Sequence, residues 1–322
     1  MNKDLRILVT GANGFVGRQV LLKLIDDGYM HIIGLYREHE LSEIPVSWIK
    51  ADLNQFDILD EILAKVDVVI HLAGLISYDE KDYKSLMLNN FQLTRELLNN
   101  CLFHKIQKFI YLSSSSTLGK SNHPFVISDK LQGRPIFYSN YAKSKYLGEL
   151  EVQRAASEGL NAVILNPTLI LGEGDWNKGS LSILKRMSEG LKFFPKGTVG
   201  IVDLQFVVKA ILQSLEEEIS IGPHLLHNYT TTYENLISLV AHETGGQVPK
   251  LGIPLTLALW FSRLEKLRCW FTGRKKVITM ETAFLSSQTF SYIKEVNQFK
   301  ASEDVESLEI LIHRCISTNI TY

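Results

Sequence analysis

LRILVTGANGFVG, residues 5–17, is the stretch from which the fold is read. Leu5 to Thr10 is a short apolar run of strand type, and it enters a turn holding Gly11, Gly14 and Gly17. Beyond the turn, Val20, Leu21, Leu24 and Ile25 fall on one side of a helical pattern. Strand, glycine turn and helix form the setting in which a glycine fingerprint carries meaning. The glycines allow a tight turn and let the backbone approach a pyrophosphate, which then rests on the helix N-terminus. The spacing is G-x-x-G-x-x-G, not the commoner G-x-G-x-x-G. A glycine turn that serves packing alone is the weaker reading in this context.

The alternation continues downstream. His31 to Tyr36 reads as a second strand ending in Tyr36-Arg37. An acidic residue there would bond the adenosine ribose hydroxyls of NAD, whereas Arg37 suits a 2′-phosphate. NADP is therefore favoured, with NAD left open and a solvated arginine as the plain alternative. Ile49 to Leu53 reads as a third strand ending in Asp52-Leu53, where Asp52 either accepts from an adenine amino group or caps a loop. A helix with Ile58, Ile62 and Leu63 follows, then the apolar strand Val66 to Leu72, which runs into His71-Leu72-Ala73-Gly74. Small residues there let a cofactor lie across the strand ends. His71 reads as a packed core histidine. Lys84 to Phe103 reads as one helix with Leu86, Leu93, Leu97 and Leu98 as its stripe. Asn90 within it is a structural hydrogen-bonder or part of a proton relay, since a buried amide must be satisfied. Lys108 to Ser113 is a fifth strand, entering the serines Ser113 to Ser116. Strands alternating with helices imply a parallel sheet covered on both faces.

NYAKSKYLGE, residues 140–149, adds chemistry to this frame. Of the 12 tyrosines only Tyr141 has a lysine, Lys145, four residues on. On a helix these positions share a face, and an ammonium beside a phenol favours the phenolate and lowers its pKa. The bare pair is common on surface helices and gains its weight from the elements upstream.

Bulk properties narrow the class. Lys+Arg total 34 and Asp+Glu 35, so no net field recruits nucleic acid. The three cysteines, Cys101, Cys269 and Cys315, show no metal-ligand spacing, and no metal is expected. Their sparse, odd count suits a reducing cytoplasm. Asp4 and Arg6 interrupt any signal-peptide pattern, and the apolar run Leu257 to Phe261 is far too short to span a bilayer.

TGANGFVG, HLAG, the Asn90 helix, YLSSSSTLG and YAKSK together resemble the extended branch of the short-chain dehydrogenase/reductase superfamily, the NAD-dependent epimerase/dehydratase family. VILNPTLILGEGDW looks more like its dihydroflavonol reductase and 3β-hydroxysteroid dehydrogenase subgroups than like the epimerases. The resemblance implies a doubly wound parallel Rossmann sheet over residues 1–175. A smaller substrate-binding lobe follows over 176–322, with some segments returning to the core. It assigns cofactor contacts to Gly11, Asn13, Gly14, Phe15, Val16, Gly17, Tyr36, Arg37, Asp52, Leu53, Leu72, Ala73, Gly74, Ser113, Pro167 and Thr168. It makes Tyr141 the general acid/base. It has Lys145 hold the nicotinamide ribose while lowering the tyrosine's pKa, and Asn90 the relay asparagine. Ser114 takes the catalytic serine position, with Ser113 and Ser115 one place off. Asn166 stands where the sugar-nucleotide enzymes carry arginine. A homodimer through the Asn90 and Tyr141 helices is also implied.

The second half is less regular. Gly179 to Gly190 reads as a helix, Phe193-Phe194-Pro195 as a loop, Ile201 to Leu204 as a strand and Gln205 to Leu215 as a helix. Gln205-Phe206 replace the acidic pair usual in relatives, which puts the capping there in doubt. Glu234 to Glu243 and Glu303 to Cys315 read as helices. Leu257, Trp260, Phe261, Leu264, Leu267, Trp270 and Phe271 follow helical spacing, with basic residues among and after them up to Lys276. Such a helix can lie on a membrane surface or cover an apolar substrate; packing on the core or on a subunit partner is the preferred reading. The function expected is hydride transfer between NADP(H) and a carbonyl or secondary alcohol of a small molecule. The alternatives are a nucleotide-sugar epimerase or dehydratase with tightly held NAD, and a non-catalytic NADP-sensing protein.

Overall fold

The computed structural model describes residues 3–120, 125–129, 137–176, 179–272, 279–294, 298–299 and 306–319. Seven strands, all paired in parallel, form the central sheet: β1 (Arg6–Thr10), β2 (His31–Tyr36), β3 (Ser47–Lys50), β4 (Val68–His71), β5 (Lys108–Leu112), β6 (Ala162–Pro167) and β7 (His224–Leu226). Their order is β7-β6-β5-β4-β1-β2-β3. The order reverses at β1, between β2 and β4, and the strand ends there open the crevice where doubly wound sheets bind ligands. The edge strand β7 comes from the second half of the chain.

Alternation along the strands feeds two cores. Ile7 and Val9 of β1 join α1 (Phe15–Asp26) on one face, whereas Leu8 joins α2 (Phe56–Leu63) on the other. α3 (Tyr83–Met87) leads through a π turn over Leu88–Gln92 into α4 (Leu93–Phe103). α4 and α5 (Asn140–Ser157) cover the second face, and α6 (Leu204–Glu216) packs with α1 on the first.

Several boundaries differ from the sequence reading. β3 stops at Lys50, where its pairing with Tyr36 ends, and Asp52 instead accepts the Asn54 amide at 3.3 Å in a turn. The helix expected over 84–103 is broken by the π turn at Asn90. Gly179–Leu181 is a 3-10 turn before the helix Ser182–Ser188, and Phe193–Pro195 is a strand paired with Leu251–Ile253. α6 starts at Leu204, and Asp203 caps it by accepting the Gln205 amide at 2.9 Å while pairing with Arg314. The cap lost at positions 205–206 is thus supplied by Asp203, two residues before Gln205. The C-terminal helix is Leu308–Asn319; residues 303–305, the loop residues 121–124 and 130–136 beyond Gly119, and the basic run 273–276 lie outside the described residues.

α7 (Leu255–Thr272) also departs from expectation. Ala258 and Ser262 face inward and are buried, whereas Leu257, Trp260, Phe261 and Leu264 are exposed. The small side chains lie against the protein, so Leu257, Trp260, Phe261 and Leu264 of the stripe do not pack on its own core.

α5 crosses the π turn at Gly148. A Cβ there would stand 2.4 Å from the Asn90 carbonyl oxygen and 2.5 Å from the Tyr111 hydroxyl. Gly148→Ala therefore forces the two elements apart and is expected to destabilise the fold by about 1–3 kcal/mol, as overpacking does. An unchanged denaturant midpoint would show that the crossing yields without cost.

Candidate functional site

β1 delivers the chain into the glycine turn at Thr10. Gly11 takes φ +68°, and its carbonyl accepts the Gly14 amide at 3.0 Å. A Cβ on Gly17 would lie 2.2 Å from the Gly11 carbonyl oxygen, and one on Gly11 would lie 2.7 Å from the Ala73 nitrogen. The first turn of α1 has neither a side-chain cap nor an acidic residue. Unsatisfied amides at a helix N-terminus, reached across bare glycine backbone, fit a pyrophosphate. Asn13 donates to the His39 carbonyl at 2.9 Å and ties this turn to the loop after β2. Phe15 lies where a Cβ on Gly174 would meet its ring at 2.9 Å, and Val16 packs on the first core.

At the end of β2 the Tyr36 ring meets Trp48 edge-on, with centroids 6.1 Å apart. The Arg37 side chain is 68% exposed and stands 3.9 Å from Asp52. Leu53 packs on the second core. An exposed guanidinium at this edge, held only loosely by Asp52, fits a 2′-phosphate, and the glycine turn fits the diphosphate.

The end of β4 connects this half to the chemistry. His71 is fully buried, with one ring nitrogen 2.7 Å from the Thr10 hydroxyl and the other 3.1 Å from that of Thr94. Burial pushes its pKa down to about 3, so it stays neutral. Leu72 and Ala73 donate back to Thr10 at 3.2 and 3.3 Å. Gly74 leaves open the space beside Asn90 and Lys145; a Cβ there would lie 3.2 Å from Asn90 Oδ1 and 3.7 Å from Lys145 Nζ.

Asn90 is buried and satisfied. Its Oδ1 accepts the Leu75 amide at 2.8 Å, and its Nδ2 donates to the Leu75 carbonyl at 2.8 Å and to Ser144 Oγ at 3.0 Å. Ser144 passes the link to the Tyr141 carbonyl at 2.8 Å. Of the two roles left open for Asn90, the geometry displays the structural one.

The sequence pairing of Tyr141 with Lys145 needs correction in its electrostatics. Tyr141 is buried, and desolvation raises its pKa well above the ordinary phenol value; the facing Ser114 hydroxyl only partly opposes this. The lysine does not lower it. Lys145 Nζ donates instead to the Leu112 carbonyl at 2.8 Å and lies 4.2 Å from the centre of the Tyr111 ring. Burial brings its pKa down to about 7, with Glu149 pulling the other way. Tyr141 is therefore a neutral phenol, the form that donates a proton. The Tyr78 ring stands 5.9 Å from it.

Ser113, whose amide donates to the Leu165 carbonyl at 2.7 Å, is buried at the end of β5. Ser114 opens a 3-10 turn over Ser115–Thr117, and its hydroxyl accepts from the Ser116 amide at 3.2 Å and hydroxyl at 2.9 Å. Ser114 is the candidate serine whose hydroxyl bears on the Tyr141 phenol, opposing the upward shift of its pKa. Thr168, just after Pro167 ends β6, donates through its amide to the Leu226 carbonyl at 3.0 Å.

One residue escaped the sequence reading. Glu149 is buried one turn beyond Lys145 and accepts from Thr117 at 2.7 Å and from the Asn166 amide. Asn166 also donates to the Ser114 carbonyl at 3.2 Å and accepts the His224 amide at 3.2 Å. Burial raises the Glu149 pKa against the hydrogen bonds and the lysine that favour its charge. The signal was available: Tyr141, Lys145 and Glu149 recur every four residues on one helical face.

Comparison with known proteins places this geometry. The family model described as "NAD dependent epimerase/dehydratase family" matches residues 7–201. The chain is 25% identical over 295 residues to a "Putative dihydroflavonol 4-reductase" of Synechocystis, covering 88% of this chain and 85% of that protein. It is 31% identical over 191 residues to the "3 beta-hydroxysteroid dehydrogenase/Delta 5-->4-isomerase" of Vaccinia virus, covering 52% of this chain and 53% of the relative. Among solved structures, a UDP-glucose 4-epimerase from Thermotoga maritima superposes with a TM-score of 0.77 at 19% identity, covering 98% of this chain and 99% of that one.

Glu149→Gln keeps hydrogen-bonding capacity toward Thr117 and Asn166 but removes the charge that holds up the Lys145 pKa. The Lys145 pKa, already brought down to about 7, is expected to fall further. The alkaline limb of the pH dependence of turnover, where the ammonium is lost, then moves to lower pH. An unmoved limb would mean that the lysine does not feel this carboxylate.

Proposed function

Because the chain belongs to the NAD-dependent epimerase/dehydratase family, within the extended short-chain dehydrogenases/reductases, we propose that it is an NADP-linked oxidoreductase. Its substrate is a small molecule carrying a carbonyl or a secondary alcohol. The observation that carries this reading is the meeting of Ser114, a neutral Tyr141 and Lys145 beside the open backbone at Gly74. The cofactor, when bound, supplies or removes the hydride. In the reducing direction Ser114 Oγ donates a hydrogen bond to the carbonyl oxygen and fixes its position. As the carbonyl carbon gains the hydride, the oxygen gains negative charge, and Tyr141 Oη delivers its proton there to leave the alcohol. The Lys145 ammonium, within reach of the space beside Gly74, would hold the ribose of the bound cofactor. Asn90 acts through position, holding the loop at Leu75 to the tyrosine helix.

The reductase reading is preferred to epimerisation because of position 166. The resemblance puts an arginine at this place in the enzymes that act on sugar nucleotides, whereas the Asn166 amide is turned inward onto Glu149, Thr117 and the Ser114 carbonyl. It offers no cation to a nucleoside diphosphate. Arg37, exposed beside Asp52, supports NADP over NAD. We also propose a subunit pair through the Asn90 and Tyr141 helices; the exposed Tyr83, Leu88 and Leu150 on that face support it.

Tyr141→Phe removes the proton donor and is expected to lower turnover by about 10² to 10⁴ while leaving NADPH binding intact. Near-wild-type turnover by this variant would sink the assignment. For the cofactor, thermal shift should favour NADPH over NADH. Arg37→Ala should weaken NADPH binding by about tenfold or more, the worth of a charge-assisted hydrogen bond, and leave NADH unchanged. NAD that co-purifies and does not exchange would favour the epimerase instead.

A further inference from the structure

The outer face of α7 is built the wrong way round for a helix of a soluble core. Leu257, Trp260, Phe261 and Leu264, at i, i+3, i+4 and i+7, are 48%, 59%, 37% and 41% exposed, whereas the inward positions are Ala258 and Ser262. The patch continues off the helix. Phe193 stacks on Phe261 with centroids 6.0 Å apart, and Leu251 pairs with Phe193 in the neighbouring two-stranded sheet. Both are exposed. Six large apolar side chains thus form one continuous surface, beyond what scattered surface hydrophobics require.

Basic residues border this surface. Lys192 and Lys250 are exposed beside Phe193 and Leu251, and Arg263 is exposed on the helix. Over residues 255–276, Arg263, Lys266, Arg268, Arg274, Lys275 and Lys276 against Glu265 give +5, in a chain whose net charge is −1. Among the described residues, Lys192, Lys250 and Arg263 thus stand beside the exposed apolar surface.

We propose that this face docks the protein onto an anionic lipid interface. Trp260 and Phe261 enter the headgroup boundary with Leu257 and Leu264 beneath them, and the basic rim pairs with lipid phosphates. A tryptophan has one apolar body and one N–H that prefers this boundary. A second copy of the chain fits the face less well. A two-fold interface through α7 would set the same cationic patch against itself. No described helix is long and apolar enough to cross a membrane, so the contact is peripheral. The helix also presents Ser262 and Arg263 to a small cavity shared with Tyr78, the ring beside Tyr141, so the docked face and the candidate site are two sides of one element.

The test is sedimentation of the full chain with vesicles of phosphatidylcholine alone and of phosphatidylcholine mixed with phosphatidylglycerol. The protein is expected to pellet with the mixed vesicles and to be released by salt, since surface attraction to anionic lipid is screened. Trp260→Ala with Leu264→Ala should weaken this binding by about tenfold or more, given the apolar surface lost. Lys192→Glu with Lys250→Glu should weaken it without touching the apolar patch, and both variants should melt where the parent does. The proposal is overturned if the mixed vesicles pellet no protein, or if both double variants pellet like the parent. It is equally overturned if the parent self-associates and Trp260→Ala with Leu264→Ala yields a monomer without any lipid binding having been seen, which would assign the face to a second copy.

Discussion

The site depends on one buried amide that must be satisfied where water cannot reach it. Asn90 takes both backbone groups of Leu75 and the Ser144 hydroxyl, so its donors and acceptor are matched within 2.8–3.0 Å. To do so it sits in a π turn, where an extra residue widens the helix and aims the side chain at the strand end. The close crossing at Gly148 follows from that widening, since the Asn90 carbonyl stands where any larger residue on α5 would need to be. The loop after β4, the tyrosine helix and the floor at Gly74 are thereby fixed to each other. Removing the amide would leave buried polar backbone unpaired, which costs about 1–3 kcal/mol for each group.

Electrostatics at the centre follow from burial more than from pairing. A phenol and an ammonium one turn apart suggest mutual stabilisation, yet both neutral forms are favoured once water is gone. Tyr141 rises because its phenolate is desolvated, and Lys145 falls to about 7 because its ammonium is. What keeps the lysine from falling further is Glu149, a carboxylate held by Thr117 and Asn166. The departure at Asn166 then has a physical meaning. An arginine at that place would bring a second cation toward the lysine's own counter-charge, whereas an amide supports the carboxylate and also fixes the serine turn through the Ser114 carbonyl.

Much of this was legible in the chain. The strand, glycine turn and helix at residues 5–26 and the alternation after them are local patterns, and burial of their apolar faces leaves few ways to assemble them. The break at Asn90 was not legible, because the leucine spacing continues through it and a π turn changes the geometry without changing the apolar rhythm. The end of β3 was overrun for a similar reason: Ala51 and Leu53 continue an apolar run, but the Asp52 side chain closes a turn. Glu149 stood in plain view on the Tyr141 face, yet a glutamate near the middle of a helix reads as solvated until the structure shows what covers it.

α7 marks the sharper limit of periodicity. A repeating apolar stripe shows that a helix has one distinctive face, not which way that face is turned. In the helices over the sheet, the stripe turns inward because burying large side chains outweighs every other term. In α7 the buried positions are the small Ala258 and Ser262, whereas Trp260 stands on the exposed side. The exposed aromatic face is then a consequence of how the inner face packs, and the basic residues beside it give that exposure a direction. An apolar surface with cations beside it is unfavourable in water and against its own copy, and favourable where hydrocarbon lies beneath a layer of phosphates.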